Sequence, residues 1–403
     1  MGDQNKNVPR LRFPGYTDAW VKCELSKLAK FSKGRGFSKS DLVNTGYPII
    51  LYGRLYTNYE TTISVVTDTF ISDDLNSIKS EIGDVIVPGS GETAEDISRA
   101  SNVDISGIVL GGDLNIIKPN NQILDSTFLA ITISNGSQQK ELTKRAQGKS
   151  VVHLHNSDLE KILVYLPTKG EQIKIGKFFT KLDQAIAVNE RELNKLRNLK
   201  KSYLEKMFPK NGSDIPELRF PCYTDAWVKC ELGDVVDIVG GGTPSTSVIE
   251  YWNGEINWYS PVEIGNQIYV SNSQNKITKL GLEKSSAKIL PAYKTILFTS
   301  RAGIGNTAII TSDGATNQGF QSLVIKEKMD LYFLYTTSYK IKEMALQIAS
   351  GSTFLEISGK SLSKLEILLP NFEEQTKIGK FFKQLDNLIT VNEHKLFNSI
   401  LSS

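Results

Sequence analysis

A 17-residue segment occurs twice in this chain of 403 residues. PRLRFPGYTDAWVKCEL at residues 9–25 returns as PELRFPCYTDAWVKCEL at residues 216–232, and the copies differ only at Arg10/Glu217 and Gly15/Cys222. Because chance does not produce such a match, the chain is expected to contain two copies of one structural unit.

A second repeated block defines the other end of this unit. GEQIKIGKFFTKLDQAIAVNEREL at 170–193 returns as EEQTKIGKFFKQLDNLITVNEHKL at 373–396. Each block follows an Ala-x-Gly-x-Ser/Thr segment and a strand-like apolar alternation that ends in proline. The intervening residues, 26–145 and 233–348, share little identity. The pattern predicts a constant frame that carries two variable inserts.

The repeated block has the three-and-four apolar spacing of a coiled-coil helix. The seam of the first copy comprises Phe179, Leu182, Ile186, Asn189, Leu193, Leu196, Lys200, Tyr203 and Met207, and that of the second comprises Phe382, Leu385, Ile389, Asn392 and Leu396. We interpret Asn189 and Asn392 as polar residues that set register. Chain connectivity, with a pseudo-twofold relation between the copies, predicts an antiparallel two-helix rod with one variable globule at each end.

The variable inserts have a mixed α/β pattern with a strand majority. Runs such as YPIILYGRLY, DVIVPGSG and KTILFTS are apolar or β-branched and are separated by Gly, Asn and Ser turns. Asp84–Gly91 resembles Lys294–Arg301, and Gly111–Pro119 resembles Gln318–Lys326. We therefore interpret the inserts as diverged copies of one module.

Composition places the chain among globular proteins without specifying a ligand. It is 40% hydrophobic and 23% charged, and no apolar run approaches the roughly 18 residues that a membrane span requires. The start MGDQNKNVPR lacks a signal-peptide profile, so we predict a cytoplasmic location. Cys23 and Cys230 are interpreted as small buried residues, not as a disulfide pair. A net charge of +3 neither requires nor excludes nucleic acid.

Motifs of catalysis are absent or incomplete in the sequence. Neither Gly-Lys-Ser triplet, at 148–150 and 359–361, has the upstream glycine of a phosphate-binding loop. The glycines of PGSGETAED have the wrong spacing for a dinucleotide site, and no Asn/Asp-Pro-Pro-Tyr/Phe motif of an amino-methyltransferase is present. His153 and His155 form an H-x-H without other metal-ligand residues nearby, so no metal is predicted. A binding protein is therefore favoured over an enzyme.

These features together resemble the specificity subunits of type I restriction–modification systems. The resemblance lies in the duplicated E-Q-x-K-I-G-x-F-F-x-x-L-D helices, the WNGEINW stretch and the segments ITKLGLEKSSAKILP and RAGIGNTAII, and it covers essentially the whole chain. It implies a non-catalytic subunit that reads a bipartite double-stranded DNA target, one half-site per recognition domain. It also implies partners: two methyltransferase subunits that use S-adenosylmethionine, and motor-nuclease subunits that use ATP and Mg.

On this basis the expected class is α+β, with two mixed α/β recognition domains at opposite ends of an antiparallel two-helix coiled coil. The boundaries are 1–169 for the first recognition domain, 170–212 for a spacer helix, 213–372 for the second domain and 373–403 for a C-terminal helix. The residues predicted for the subunit-docking helices, where the helices pack on each other or on helices of partner subunits, are Phe178, Phe179, Leu182, Ile186, Phe381, Phe382, Leu385 and Ile389.

DNA-contacting residues are predicted from side-chain type in turn-rich stretches. Arg, Lys, Asn and Gln can read base edges, whereas basic and hydroxyl loops suit phosphates. The candidates are Lys33, Arg35, Lys39, Arg54, Tyr56, Asn58 and Tyr59 in the first insert, and Thr243, Ser245, Thr246, Trp258, Tyr259, Arg301, Asn317 and Gln318 in the second. Trp258 also fits a core position, and the lysine cluster also fits a solvated loop.

Two other functions are open at this point. A coiled-coil scaffold would hold protein partners without sequence-specific DNA binding. A methyltransferase or nuclease of unrecognised type would transfer a labelled methyl group to DNA or cut it. Neither the DNA sequence read nor the spacer length can be predicted, because both depend on loop geometry.

Overall fold

The computed structural model describes residues 8–148, 151–210, 212–265, 267–301, 303–351 and 355–401, with side chains through Asn398. The chain divides into two compact units. Unit 1 comprises Met1–Val188 and Asn398–Ser403, and unit 2 comprises Asn189–Phe397. Among the described residues, no helix combines the length and the apolar character needed to cross a membrane.

Unit 1 is built mostly from short strands and short helices. Its strands are β1 Val21–Glu24, β2 Ala29–Lys33, β3 Leu42–Val43, β4 Tyr47–Ile50, β5 Thr62–Ile63, β6 Phe70–Ile71, β7 Asp84–Pro88, β8 Ser90–Gly91, β9 Ser101–Val103, β10 Val109–Leu110, β11 Leu114–Pro119, β12 Val152–His153 and β13 Leu163–Leu166. Its helices are α1 Arg54–Thr57, α2 Ala94–Ile97, α3 Ser126–Ser134, α4 Gly136–Arg145, α5 Asn156–Leu159 and the first half of α6 Lys169–Lys206, with 3-10 turns at Leu25–Lys27 and Lys39–Asp41.

Unit 2 begins with the second half of α6 and repeats this plan. Its strands are β14 Val228–Glu231, β15 Val236–Gly240, β16 Trp252–Tyr259, β17 Tyr269–Val270, β18 Asn275–Ile277, β19 Thr295–Phe298, β20 Thr307–Ile310, β21 Gly314–Thr316, β22 Gln321–Ile325 and β23 Glu366–Leu369. Its helices are α7 Leu232–Val235, α8 Lys279–Glu283, α9 Leu331–Ile348, α10 Gly359–Ser363 and α11 Phe372–Leu401, with 3-10 turns at Ile249–Tyr251 and Pro261–Glu263.

The largest sheets of the two units share one topology. The five-stranded sheet has the order β2-β11-β7-β9-β5 in unit 1 and β15-β22-β19-β20-β17 in unit 2. In both, only the last pair is parallel. The strands predicted to correspond, at 84–91 and 294–301, are β7 and β19, and both occupy the centre of the sheet. The expectation of two diverged mixed α/β modules is confirmed.

The central strand is buried on both faces of the sheet. In β7, Val85 and Val87 pack into a core with Phe128 of α3, whereas Ile86 packs into a separate core on the other face. In β19, Ile296 and Phe298 belong to one core and Leu297 to another. The continuous apolar runs in the sequence follow from this two-sided burial.

A two-strand frame closes each variable insert. Strand β1 pairs antiparallel with β13, placing Cys23 opposite Val164, and β14 pairs antiparallel with β23, placing Cys230 opposite Ile367. Cys23 and Cys230 are partly buried free thiols. In each unit, the strand that precedes the insert pairs with the strand that follows it. The sequence of the insert can therefore change without altering this pair.

An arginine clamp explains why the two repeated blocks occur together. Arg12 Nε and Nη2 donate to the two carboxylate oxygens of Glu171 at 2.8 and 2.7 Å. Arg219 makes the same bidentate contact with Glu374, at 2.9 and 2.7 Å. This pairing raises the pKa of both guanidinium groups. The clamp fastens the first repeated block of each unit to the start of the long helix.

The neighbouring glutamine fastens the insert to the same helix. Gln172 Oε1 accepts from the backbone N of Asp125, the N-cap of α3, at 2.8 Å, and Gln375 Oε1 accepts from Asp330 N, the N-cap of α9, at 3.1 Å. The side-chain Nε2 of each glutamine donates to the carbonyl of Pro167 or Pro370 at 3.0 Å. The Glu-Gln pair of the repeat is therefore a structural joint.

Replacing Glu374 by alanine is expected to lower the free energy of unfolding by about 2 kcal/mol, because Arg219 then lacks its anion in a site where its side chain is only 10% exposed. Urea titration followed by circular dichroism measures this change. Glu373→Ala is the control, since its side chain is 77% exposed. Equal loss in the two variants would contradict a structural role for the clamp.

The structure separates the predicted docking residues into two classes. Phe178 is 46% exposed, and Phe179, Leu182, Ile186, Phe381 and Ile389 are partly buried. Phe382 is fully buried and Leu385 is 5% exposed, so neither offers a free face to a partner. Phe382 belongs to the core of unit 2 and packs against Phe208 just after α6, so packing within the chain, and not docking of a partner, accounts for this residue. Asn392 is 8% exposed and its amide donates to Leu388 O.

Candidate nucleic-acid interface

Four loops meet at one end of the five-stranded sheet of unit 1. Backbone hydrogen bonds join Gly34 to Leu114, Gly112 to Gly36, and Gly89 to Asp113. The loop after β12 is attached to the same end, because Asn156 Nδ2 donates to Ser32 O at 2.9 Å. The loops after β2 and β7, before β11 and after β12 therefore form one continuous edge.

The approach of two loops at this edge requires glycine in each unit. A Cβ on Gly34 would lie 2.0 Å from the carbonyl oxygen of Gly111. A Cβ on Gly241, the corresponding residue of unit 2, would lie 2.0 Å from the carbonyl oxygen of Asn317. Since only glycine fits, the glycine-rich stretches of the two inserts have the same structural cause.

The edge of unit 1 carries cations that have no ion-pair partner among the described residues. Lys33 and Arg35 are exposed beside Gly34, and Lys39 is exposed on the following 3-10 turn. His153 and His155 lie on the same edge, with rings nearly parallel and centroids 6.4 Å apart. The sequence predicts no metal at these histidines and fits alternate residues on one face of a strand or loop. Their position near Lys33 follows from the hydrogen bond of Asn156 to Ser32 O.

The equivalent edge of unit 2 carries a different set of polar side chains. Thr243 Oγ1 donates to Gln318 Oε1, and Asn317 Oδ1 accepts from Gly319 N at 2.8 Å. Arg301 pairs with Glu356 at 2.8 Å, with both side chains more than 40% exposed. An exposed pair of this kind exchanges readily with solvent or an anionic ligand. Ser300 N donates to Gly319 O at 2.7 Å, which brings the neighbouring Arg301 to the same edge as Thr243, Asn317 and Gln318.

The remaining candidates of unit 2 fall into two groups. Ser245 and Thr246 are exposed in the loop after Thr243. Trp258 is 7% exposed, and its Nε1 donates to Gly242 O at 2.9 Å. It therefore packs beneath the loop that carries Thr243 and stabilises that loop. Tyr259 is fully buried, and burial raises the pKa of its phenol. These two buried aromatic side chains stabilise the edge and are not accessible to DNA, so neither is a DNA-contacting residue.

In unit 1, Arg54 is held inside the protein and does not reach the surface. Its side chain is 7% exposed, and its guanidinium pairs with Asp68 and with Glu60, the latter at 2.7 Å. Burial opposes its charge, but these hydrogen bonds outweigh that effect and raise the pKa of Arg54. Arg54 is therefore not a DNA-contacting residue, because its guanidinium nitrogens are already bonded to the carboxylates of Asp68 and Glu60.

The side chains around Arg54 differ in their availability. Asn58 is exposed and donates to Asp68 at 3.3 Å. Tyr56 is partly buried against Tyr52, with ring centroids 6.3 Å apart. Tyr59 donates its phenol to Ala100 O at 3.2 Å beneath the Arg99 guanidinium. The cluster is therefore mainly structural, and of these three side chains only Asn58 is exposed.

Substitutions at Arg54 and Arg35 are expected to have opposite effects. Arg54→Met should lower the free energy of unfolding by about 1–2 kcal/mol and leave the DNA affinity of the folded chain unchanged, because its loss leaves two carboxylates unpaired. Arg35→Ala should leave stability within about 0.5 kcal/mol and weaken DNA binding about tenfold. Urea denaturation and fluorescence anisotropy measure the two quantities, and the reverse pattern would contradict the assignment.

Acid sensitivity gives an independent check on the Arg54 site. Burial opposes the charge of Asp68, but the Arg54 hydrogen bond outweighs it and lowers the pKa of that carboxyl. The pair therefore stabilises the fold above the usual aspartate range and is lost as pH falls through the lowered pKa. Arg54→Met should remove that part of the acid-induced loss, as measured by unfolding midpoints from about pH 5 down to about pH 2.

Two regions of the chain, residues 17–198 and 224–401, match the family described as the Type I restriction modification DNA specificity domain. The chain belongs to this family. The two matches fall on the two copies of the duplicated unit, so the family domain is present twice. This match favours DNA recognition over a protein scaffold.

Individual relatives agree with the family match over different lengths. The type I restriction enzyme MjaIX specificity subunit of Methanocaldococcus jannaschii is 39% identical over 168 residues, 40% of this chain and 38% of that protein. The putative MjaX specificity subunit of the same organism is 24% identical over 413 residues, 96% of this chain and 92% of that protein. The stronger match thus spans well under half of its relative's length.

A solved structure shares the fold of the whole chain. The S subunit of a type I restriction-modification system from M. genitalium aligns with a TM-score of 0.63 at 17% identity, covering 98% of this chain and 96% of the other. At this identity the likeness concerns the fold alone.

Proposed function

We propose that this chain is the DNA sequence-recognition subunit of a type I restriction–modification complex and that each unit reads one half of a bipartite target. The observation that carries this proposal is the duplicated sheet edge. The two units present corresponding loops on one sheet topology, yet the exposed side chains are Lys33 and Arg35 in unit 1 and Thr243, Gln318 and Arg301 in unit 2. One scaffold with two different polar surfaces suits two different DNA sequences.

In this proposal the chain itself is not catalytic. Two methyltransferase subunits supply adenine methylation with S-adenosylmethionine, and motor-nuclease subunits supply translocation and cleavage with ATP and Mg. The complex acts in the cytoplasm. The recognition domains are residues 1–169 and 213–372, and the helices 170–212 and 373–403 connect them and dock the partner subunits.

The proposed frame is an antiparallel pair of the two long helices related by a pseudo-twofold axis. Contacts within unit 2 support this pairing. As the residue number increases along α6, the number of the contacted residue on α11 decreases, as expected for antiparallel helices. Arg197 pairs with Glu393 at 2.7 Å, Lys200 pairs with Asp386, and the rings of Tyr203 and Phe381 lie 5.0 Å apart. The pairing would place one recognition domain at each end of the helices.

DNA binding by the purified chain with its methyltransferase partner tests the function. Fluorescence anisotropy with random duplex DNA at 50 to 200 mM salt should show affinity that falls steeply with salt, since each phosphate contact contributes a slope of about −0.9 in log–log form. Sequencing of methylated DNA from cells that express the complex should reveal a bipartite site. Salt-independent binding or the absence of a methylated motif would contradict the proposal.

Helix length is expected to set the gap between half-sites. Inserting one heptad after Asn189 and one after Asn392 lengthens both helices by roughly 10 Å at 1.5 Å per residue. Since duplex DNA advances about 3.4 Å per base pair, the unread spacer should grow by about three base pairs while both half-sites stay the same. Sequencing of methylated DNA measures the spacer, and an unchanged spacer would show that another feature sets it.

A further inference from the structure

Backbone hydrogen bonds fix the position of Glu356 at the edge of unit 2. Its N donates to Ser350 O at 3.0 Å, its O accepts from Ser350 N at 3.1 Å, and the next residue, Ile357, donates to Ser300 O at 3.2 Å. Arg301 follows Ser300, and its guanidinium meets the Glu356 carboxylate at 2.8 Å. Because both side chains are more than 40% exposed, this ion pair contributes little to stability.

Unit 1 has the same backbone arrangement at the corresponding position. His153 N donates to Gln147 O at 2.8 Å, and His153 O accepts from Gln147 N at 3.1 Å. The next residue, Leu154, donates to Gly89 O at 3.0 Å, as Ile357 donates to Ser300 O in unit 2. The backbone of this position is therefore common to the two units.

The side chains at this position differ between the units. Unit 1 has Ser90 and His153 where unit 2 has Arg301 and Glu356. Ser90 is 4% exposed and donates to Asp113, so only His153 of the unit 1 pair is exposed. A constant backbone with different side chains is expected at a position where the two units read different base pairs.

The carboxylate of Glu356 restricts what Arg301 can contact on DNA. If Arg301 left Glu356 for a phosphate, the carboxylate would face the DNA backbone without its cation, and the two negative charges would repel each other. A base edge imposes no such cost, because it presents hydrogen-bond donors as well as acceptors. The Arg301–Glu356 pair therefore suits a base pair better than a phosphate.

The order of donors and acceptors in the Arg301–Glu356 pair matches one kind of base pair. In the major groove, a G·C pair presents N7 and O6 of guanine as acceptors and then N4 of cytosine as a donor. Arg301 supplies adjacent donors, and Glu356 beside it supplies an acceptor. An A·T pair instead presents an acceptor, a donor and an acceptor, so in either orientation some of its groups would face groups of the same kind.

We propose that Glu356 is a specificity-determining residue, which together with Arg301 reads one G·C pair in the half-site of unit 2. Arg301 donates to guanine O6 and N7, and Glu356 accepts from cytosine N4. This inference rests on the proposed function and assigns a base pair to one position of it. Because the carboxylate repels nearby phosphates, Glu356 contributes to the choice of base pair and not to affinity for DNA in general.

Selection from random duplex DNA by the full chain with its methyltransferase partner tests this inference. The wild-type second half-site should contain a G·C pair at which Glu356→Ala lowers the preference for G·C over A·T at least about fivefold. Fluorescence anisotropy at 100 mM salt should show that Glu356→Ala binds random duplex DNA as tightly as wild type or up to about threefold more tightly, since a negative charge is removed.

Glu366→Ala is the matched control, because Glu366 forms another exposed ion pair of unit 2, with Lys229, on the β14–β23 frame strands. It should leave the second half-site unchanged, as should His153→Ala in unit 1. Circular dichroism checks that the variants fold.

The outcomes separate this inference from the proposed function. If the wild-type complex selects no bipartite site, the proposed function fails and this inference fails with it. If the wild-type complex selects a bipartite site and Glu356→Ala selects the same second half-site with unchanged preference at every position, only this inference is overturned. Weaker binding of folded Glu356→Ala to random duplex DNA would also overturn it, because Glu356 would then contribute to general affinity.

Discussion

Replacing Phe382 by alanine is expected to lower the free energy of unfolding by about 3–5 kcal/mol. The ring is fully buried and packs against Phe208 in a core that also contains Trp227 and Phe333. Neighbours drawn from three separate segments of the chain cannot all collapse into the space left by the ring, so a cavity remains. Urea unfolding followed by circular dichroism measures the loss.

Phe179→Ala is the matched control, because the duplication places Phe179 at the same position of the repeat. Its side chain is only partly buried, so the loss should be about 1–2 kcal/mol. The comparison holds the residue type, the helix position and the preceding KIGKF sequence constant, while the residues that cover the ring differ. Equal losses in the two variants would contradict the difference in burial.

This pair shows what helix periodicity can and cannot predict. The seven-residue pattern correctly predicts that Phe179 and Phe382 lie on the apolar face of long helices. It cannot say what covers that face, since the covering residues Met207 and Phe208 are far from Phe382 in sequence. Docking to a partner and burial in the core give the same periodicity, and the structure assigns Phe382 to the core.

The sheets were predictable in position but not in order. Apolar runs bounded by turn residues located the strands at Asp84–Pro88 and Thr295–Phe298, because local sequence determines extended structure there. The order β2-β11-β7-β9-β5 depends on pairings between distant strands. Only the weak likeness between the two inserts indicated that both would adopt the same order.

The sequence could predict which types of residue contact DNA. It could not predict which of these residues are already bonded to other side chains of the protein. Lys33, Arg35 and Gln318 were selected as turn residues able to contact DNA, and they lie exposed at corresponding edges. Arg54 met the same criterion, but the carboxylates of Glu60 and Asp68 surround it. The glycines at 34 and 241 are explained only by the close loop contacts.

Grafting residues 233–365 of unit 2 in place of residues 26–162 of unit 1 is expected to give a folded chain that reads one half-site twice. The junctions are equivalent, because Leu25 N donates to Ile162 O at 2.9 Å and Leu232 N donates to Leu365 O at 2.8 Å. The flanking strand pairs have the same register. The grafted Asp330 would also meet Gln172, which already holds the equivalent Asp125.

The DNA sequence selected by the graft is the decisive measurement. Selection from random duplex DNA should enrich two copies of the second half-site, inverted about the centre if the proposed pseudo-twofold axis holds. Affinity for the original bipartite site should fall at least about 100-fold, since each mismatched base pair costs about 1–3 kcal/mol and a whole half-site is lost. The reciprocal graft of residues 26–162 into unit 2 should enrich the other half-site. A graft that folds but still selects the first native half-site would show that the repeated frame, and not the insert, reads the DNA.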